Sequence, residues 1–515
     1  MQFVLTFALL VSAGATDVTV LRWESPDSSK PLSFAEWRSG LQPRTWHVEP
    51  LVPASRFSNR IDFFVEETLV SVLQQSLDTL AADLVDDTTD VAIFSVGGTS
   101  AESLKALLAA EYQTGMTSAV LVGDLPIAWF QMIDDFNSQG ANDGYEEFPC
   151  DLFFMDLDGT WKDSLVRLDT LDSLVPGSDS IYDVHEGDLT PEIAVSRLPA
   201  SAIGDAESLL VSYFDKSHRY RNGQLPVPDR ALVYVDDDWE RWAAEWDSNV
   251  GLLYHDRVFI SDPETTRIAD YEPRIDSADY QWVALMSHSW PGGHAMKYDS
   301  GANWDYFYAT WIPALDPQAN FYNLFACSNV RFVEDGYCGG CYVFQTSAGL
   351  GAIGSTKTGS MLRFGDFYSP LGQDGTLGEA FREWFDAILE DGWTPSERSW
   401  FYGMCLVGDG TLKPRVSTTG IAETDASPLA PTAIRLLANP ARNRVSFEFS
   451  LTQPAQCRVI LIDLAGRTIA TISQGAFSTG THSLSTDVRS LPAGVYFLSV
   501  NTGGRHTRIP VSVVR

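Results

Sequence analysis

The sequence predicts an α/β protein: a doubly wound, mostly parallel sheet in two subdomains, followed by a small Ig-like β-sandwich. Three observations predict it. From about residue 90 to residue 412, β-type apolar runs alternate with amphipathic helical stretches, the pattern of βαβ units with right-handed crossovers. Several runs, WVALM and NFYNLFA among them, are predominantly apolar, as strands covered on both faces are. After about Leu412 the pattern shortens to alternating strands separated by turn residues.

At 515 residues the chain has room for about three domains of roughly 150 residues each. A hydrophobic content of 44 % and an aromatic content of 12 % exclude disorder. The formal net charge of −33 excludes a nucleic-acid partner, which needs a positive footprint. MQFVLTFALLVSAGA has the short apolar core and small-residue end of a secretory signal, so residues 1–15 are expected to be removed on export. No later apolar run is long enough to span a membrane.

The first expected subdomain covers residues 16–225. VTVLRW is strand-like, and in IDFFVEETLVSVLQQSLDTLAADLV the three- and four-residue spacing predicts one amphipathic helix. DVAIFSVGG is a strand, Ser100 caps the helix SLKALLAAEYQTG, and TSAVLVGDLP is a second strand ending at Asp124, a site or capping residue. In DLDGTWKD, Asp156, Asp158 and Asp163 offer hard oxygens suited to a structural calcium ion, although Asp-Gly is also a turn signal. PEIAVSRLP is a strand with a helix after it.

The second expected subdomain covers 226–412. RALVYVDDD is a strand with carboxylates at its end, followed by the helix ERWAAEWDSNVGLLY and the strand DRVFISD. Next come a strand running into His288, a strand running into Cys327, and GLGAIGST. Residues 413–431 are polar and rich in Pro, Ser and Thr, a linker composition, and 432–515 form the sandwich.

Parallel α/β sheets place ligand-handling residues just past the carboxyl ends of their strands. His288 and Cys327 therefore form a candidate imidazole–thiol pair, although a cysteine there is also commonly an inert core residue. His294 is the alternative histidine. Cys338 and Cys341, spaced CxxC beside Cys327, are small buried hydrophobes, a disulfide, or with a histidine a metal site. The chemistry of the dyad itself needs no cofactor.

A strand ending in histidine followed by a strand ending Ala-Cys resembles the caspase-like cysteine peptidases of clan CD. LVGD, GDLTPEIAVSRLPA, ALMSHS, NLFACSN and GLGAIGSTKTG, in that order over about residues 90–412, resemble the gingipain family. ANPARNRVSFEF, VILIDLAGR and LPAGVYFLSV resemble the C-terminal sorting domain of the type IX secretion system. The resemblance implies a caspase-like fold and a secreted or surface-held cysteine endopeptidase whose partners are protein substrates and the type IX machinery. It makes His288 the catalytic histidine and Cys327 the nucleophile. It makes Asp188 the acid that would bind an Arg or Lys side chain, and one of Glu146, Glu147 or Asp151 the acid that orients the histidine. The family has Gly after the histidine, where its N–H helps hold the oxyanion; here Ser289 stands there. That departure keeps a second expectation in view, a catalytically inactive relative acting as a surface adhesion or binding protein.

Overall fold

The computed structural model describes residues 18–515 except 54–59, 87–89, 134, 139–143, 168–173, 226, 278–279, 299–300, 390–392, 416–433, 438–440, 452–454, 463–467, 490, 503–504 and 515. The expected signal segment, residues 1–15, and most of the expected linker lie outside the described residues. The chain divides into two compact units, Met1–Val416 and Ser417–Arg515.

One eleven-stranded sheet organises the first unit. Its strands in chain order are β1 (His47–Val52), β2 (Arg60–Glu66), β3 (Asp90–Gly97), β4 (Met116–Val122), β5 (Ala194–Leu198), β6 (Ala231–Val235), β7 (Arg257–Ile260), β8 (Trp282–Met286), β9 (Phe321–Phe325), β10 (Gly351–Ser355) and β11 (Met404–Gly408). Across the sheet they run β1-β3-β2-β4-β5-β11-β10-β9-β8-β6-β7. Strands β2 to β5 and β11 are mutually parallel, and so are β6 to β10. Strand β11 is antiparallel to β10, so the two blocks point in opposite directions. The blocks meet where β11 pairs with β10, from Gly351 opposite Gly408 to Ser355 opposite Met404, and β11 is joined to its own block where Val407 pairs with Arg197 of β5. The two expected subdomains are thus halves of one sheet, and β11, from the far end of the unit, closes the seam. Helices cover both faces, which is why strands such as Ala231–Val235 and Phe321–Phe325 are buried at every residue.

One element differs from the sequence reading. The apolar stretch from Arg60 to Asp86 is β2 followed by a helix over Val70–Asp86, not one helix. The segment IDFFV pairs on both sides, with β3 and with β4. An aromatic-rich run that can be covered on two faces gains more as a central strand than as the start of an amphipathic helix.

The second unit contains two antiparallel sheets, of three and four strands. Alternate residues of their strands, including Val445, Phe447, Phe449, Val459, Leu461, Leu498 and Val500, form a core of their own.

Candidate active site

Strands β8 and β9 are neighbours with Met286 opposite Phe325, so the residues two places past each end, His288 and Cys327, arrive at the same edge. His288 opens a short strand, His288–Trp290, that pairs with Gly293–Tyr298. After Cys327 the chain turns sharply at Ser328, whose φ of 58° lies in the left-handed region, a conformation that costs a non-glycine residue about 1 kcal/mol or more. The turn is held from both sides. The Ser328 N–H donates to the Lys357 carbonyl at 3.0 Å, and the Asn329 amide donates to the carbonyls of Trp290 (2.9 Å) and Gly293 (3.2 Å). The Cys327 thiol donates to the Ser289 carbonyl at 3.3 Å, and the Ser289 hydroxyl donates to the Cys327 carbonyl at 2.6 Å. Cys327 is fully buried, and burial pushes its thiol up to about 12. In this state it is a neutral thiol, and among the described residues no hydrogen bond joins it to His288.

His288 is held at both ring nitrogens. Nε2 lies 2.7 Å from Oδ2 of Asp238, and Nδ1 accepts the backbone N–H of Arg22 at 3.0 Å. Only one tautomer satisfies both contacts: Nε2 carries the proton and Nδ1 presents its lone pair. Burial lowers the imidazole's pKa, and the Asp238 carboxylate opposes that. Burial would raise Asp238 as well, but its bonds to His288 and Lys297 outweigh this and hold it at about 2. Lys297 pairs with the same Asp238 oxygen, so the carboxylate is fixed between an ammonium and an imidazole.

The Arg22 contact belongs to a longer one. Residues 18–24 run extended past the site, and Trp23 forms a parallel bridge with Ser289. The Glu24 N–H donates to the Ser289 carbonyl (3.0 Å), the Ser289 N–H to the Arg22 carbonyl (3.4 Å), and Trp239 Nε1 to the Thr19 carbonyl (2.8 Å). Leu21 is completely buried.

The family described as peptidase family C25 matches residues 67–415, about two thirds of the chain, and this span holds His288, Cys327 and Asp238. The chain belongs to peptidase family C25. C25 is a family of cysteine peptidases. Residues 438–511 match a secretion system C-terminal sorting domain of the type IX kind, which makes this C25 peptidase a secreted or cell-surface protein. No curated protein matches it. Among solved structures it is similar to dimeric latent PorU from Porphyromonas gingivalis, at 12% identity over 89% of this chain and 43% of that one, with a TM-score of 0.28. It is also similar to domains 4 and 5 of the S-layer protein SbsC, at 13% identity over 17% of this chain and 53% of that one, with a TM-score of 0.14. The C25 peptidase spans about half the length of each of those chains.

The acid beside the histidine of this C25 peptidase is not one of the three the resemblance suggested. Glu146 accepts the Thr358 N–H and faces Lys357, which also pairs with buried Asp135 at 2.8 Å. Glu147 accepts the Phe34 N–H and the Tyr145 hydroxyl. Asp151 forms a buried ion pair with Arg197 at 2.7 Å. All three answer to nearer cations or donors. Asp238 was missed as an individual, but the sequence signal was present: it closes the carboxylate cluster in RALVYVDDD, just past the end of β6, which is hydrogen-bonded to β8.

The other expected residues divide. Asp188 precedes β5 and is fully exposed; its carboxylate accepts the hydroxyl and N–H of Thr190, which hold it below the usual range. Among the described contacts none joins it to His288 or Cys327. His294 is buried, with Nε2 3.1 Å from the Tyr342 hydroxyl, and burial lowers it to about 3. Its neighbours are Tyr342 and Cys338, not Cys327. Cys338 and Cys341 form no disulfide; both are buried on the helix Cys338–Phe344. Asp163 does not join Asp156 and Asp158, because its carboxylate caps Ser178, Asp179 and Ser180. Glu192 takes its place, and the carboxylates of Asp156, Asp158 and Glu192 lie within 4.8 Å of one another. Asp156 Oδ1 also accepts the Gly159 N–H and Oδ2 faces His185. Asp124 ends β4 and bonds Ser201; the opposed blocks put the end of β4 at the other edge of the sheet. Among the described residues no helix is long and apolar enough to cross a membrane.

Proposed function

We propose that the C25 activity is carried by Cys327 as nucleophile and His288 as proton carrier, with Asp238 as the residue that positions the histidine. The observation that carries this reading is the lone pair of Nδ1. It faces the occupied edge of the His288–Trp290 strand, where it already meets a backbone N–H, while Nε2–H is turned away onto Asp238. In the reaction Sγ bonds to the scissile carbonyl carbon as the thiol proton passes to Nδ1. Collapse of the tetrahedral intermediate breaks the C–N bond, and Nδ1–H gives that proton to the leaving amine. Water then cleaves the thioester, restoring the thiol and releasing the new carboxyl group. The Ser289 N–H is the candidate donor to the oxyanion, and a serine offers that donor as glycine does. A caspase-like arrangement of the sheet and an Ig-like sandwich for the tail belong to the same reading.

A preference for Arg or Lys at the acyl side of the cut rests on Asp188. Its support is an ionised, exposed carboxylate leading into β5; Asp188→Asn should lower cleavage after Arg relative to Leu in a peptide library.

One observation favours the rival reading of an inactive surface protein: the neutral, sealed thiol. Treating the protein with an iodoacetamide-type probe and a peptide library under reducing conditions separates the two, with Cys327→Ala as control. Cys327-dependent cleavage supports the peptidase reading. A protein freed of residues 18–24 that still cleaves nothing, while its Cys327 is alkylated, supports the inactive one.

A further inference from the structure

A cleft lies at the opposite edge of the sheet from His288 and Cys327, at the carboxyl ends of the first block. Strands β3 and β4 flank β2, so right-handed crossovers send the helices Val70–Asp86 and Ala101–Tyr112 to opposite faces, and the strand ends part between them. Glu66, Gly98, Asp124 and Pro199, at or just past the ends of β2, β3, β4 and β5, line the opening. Its volume is about 650 Å³, within the range of pockets that take drug-sized molecules. Its walls are apolar, made by Trp37, Leu41, Leu125, Ile127, Phe332 and Val333. A smaller cleft of about 240 Å³ shares Trp37, Leu41, Thr99 and Ile127 with it and so prolongs it.

The charges of the cleft are unbalanced. Four carboxylates line it, Glu36, Glu66, Asp124 and Asp335, against two guanidinium groups, Arg44 and Arg197. Both cations are committed. Arg197 pairs with buried Asp151 at 2.7 Å, and Arg44 pairs with Glu66 and donates to the Asp124 carbonyl at 3.0 Å. Glu66 also accepts the Thr68 hydroxyl and the Asp124 N–H, so both of its oxygens are engaged. The Asp124 carboxylate is different. Its Oδ1 accepts the Ser201 hydroxyl at 2.6 Å, and among the described contacts its Oδ2 accepts nothing. Burial raises the Asp124 carboxyl above the usual aspartate range, and the Ser201 bond, Arg44 and Arg197 offset only part of that. Gly123, at a φ of 86°, makes the placing possible, since a Cβ there would come within 2.8 Å of Glu66 Oε2. A carboxylate oxygen left without a partner beside apolar walls is the complement of a cation on an apolar body.

We propose that this cleft is a binding site for an organic cation, in which an ammonium or guanidinium group pairs with Asp124 and an apolar body lies against Trp37, Leu125, Ile127 and Phe332. That chemistry is shared by a small amphipathic amine and by a Lys or Arg side chain flanked by apolar residues in a peptide. The site is independent of the Cys327–His288 reading: it lies at the other edge of the sheet, uses neither member of that pair nor Asp238, and its occupancy involves no covalent step.

The test uses the full chain carrying Cys327→Ala, so that no peptide is cut, and ligand-detected NMR titrations. The cationic probes are 4-phenylbutylamine and acetyl-Leu-Lys-Leu-amide, each set against an uncharged counterpart, 4-phenylbutanol and the same peptide with norleucine for lysine. At least one cation should bind with a Kd of about 1 mM or tighter, and which of the two binds more tightly tells a free amine from a peptide side chain as the source. Asp124→Asn keeps an acceptor for the Ser201 hydroxyl and removes the charge, so that binding should weaken by about tenfold to a hundredfold. The uncharged counterpart should bind the unsubstituted cleft more weakly by a similar factor. Leu41→Arg changes an exposed residue that lines both clefts and places a guanidinium there, so it should also weaken the cation by about tenfold or more without disturbing the core. Thermal melts check that each variant is folded, and Leu41→Arg carries the test if Asp124→Asn is not. Neither cation binding at about 10 mM, binding that the folded variants leave unchanged, or an uncharged counterpart that binds as tightly as its cation, overturns the proposal.

Discussion

Replacing Asp238 by Asn tests the central geometry most directly. The carboxylate accepts the Nε2 proton of a fully buried imidazole at 2.7 Å, and a hydrogen bond to a charged group contributes about 1.5–3 kcal/mol. Asparagine keeps an acceptor for that proton and loses the charge that stabilises the imidazolium formed during proton transfer. At 1.36 kcal/mol per factor of ten, kcat/KM should fall by about tenfold to a little over a hundredfold. The pH profile should move too. Asp238 raises the histidine's pKa against the lowering effect of burial, so its removal shifts the limb governed by His288 to lower pH. Stability carries a second signature. Asp238 stands at about 2 against 3.8 for an ordinary aspartate, a difference of about 2 kcal/mol for this largely shielded group. Because the folded value is depressed, that contribution is present above about pH 4 and is lost as pH falls towards 2. Urea melts at pH 6 and pH 2.5 should show wild type and variant converging at the lower pH. An Asn variant with an unmoved pH limb and less than a twofold change in kcat/KM would refute the assignment.

Three further outcomes follow from buried charges and from the two-unit organisation. Asp151→Ala leaves Arg197 buried without its anion on β5, where it pairs with β11, so thermal unfolding should show a loss of about 3–5 kcal/mol, with Cys327 alkylation little changed; a kinetic loss with no loss of stability would return Asp151 to the site. Lys357→Met strands Asp135 and Glu146 together in the interior and should destabilise by a similar amount, about 3–5 kcal/mol, with Asp135→Asn added to it recovering part of the loss in urea melts. Removing residues 432–515 should leave the melting of the first unit and the reactivity of Cys327 unchanged, because the tail has its own core, while export or surface attachment fails in a cell-fractionation assay; a truncated protein that no longer folds would contradict this.

Much of the scaffold was legible because periodicity is a local property. The strands at 90–97, 116–122, 194–198, 231–235, 282–286, 321–325 and 351–355 fall where apolar runs and turn residues put them. The boundary between β2 and the helix at Val70 was not legible, since IDFFVEETLV fits both periods and only pairing with β3 and β4 decides between them. The carboxylates show the same limit. Glu146, Glu147, Asp151 and Asp238 are alike as letters, and which one meets His288 depends on Lys357, Phe34 and Arg197 claiming the first three from distant parts of the chain.

By itself the sequence determined a mostly parallel α/β sheet in outline, the composition break before the tail, and the placing of a histidine and a cysteine past the ends of two buried strands. Those are consequences of short-range pattern, which side-chain burial enforces residue by residue. Only the tertiary structure decided that the two parallel blocks oppose each other, that Asp238 is the partner of His288, and that Leu21 to Glu24 cover the site. Each of these is a contact between residues 50 to more than 250 positions apart, chosen by competition among several chemically equivalent candidates, and no local pattern records which candidate wins.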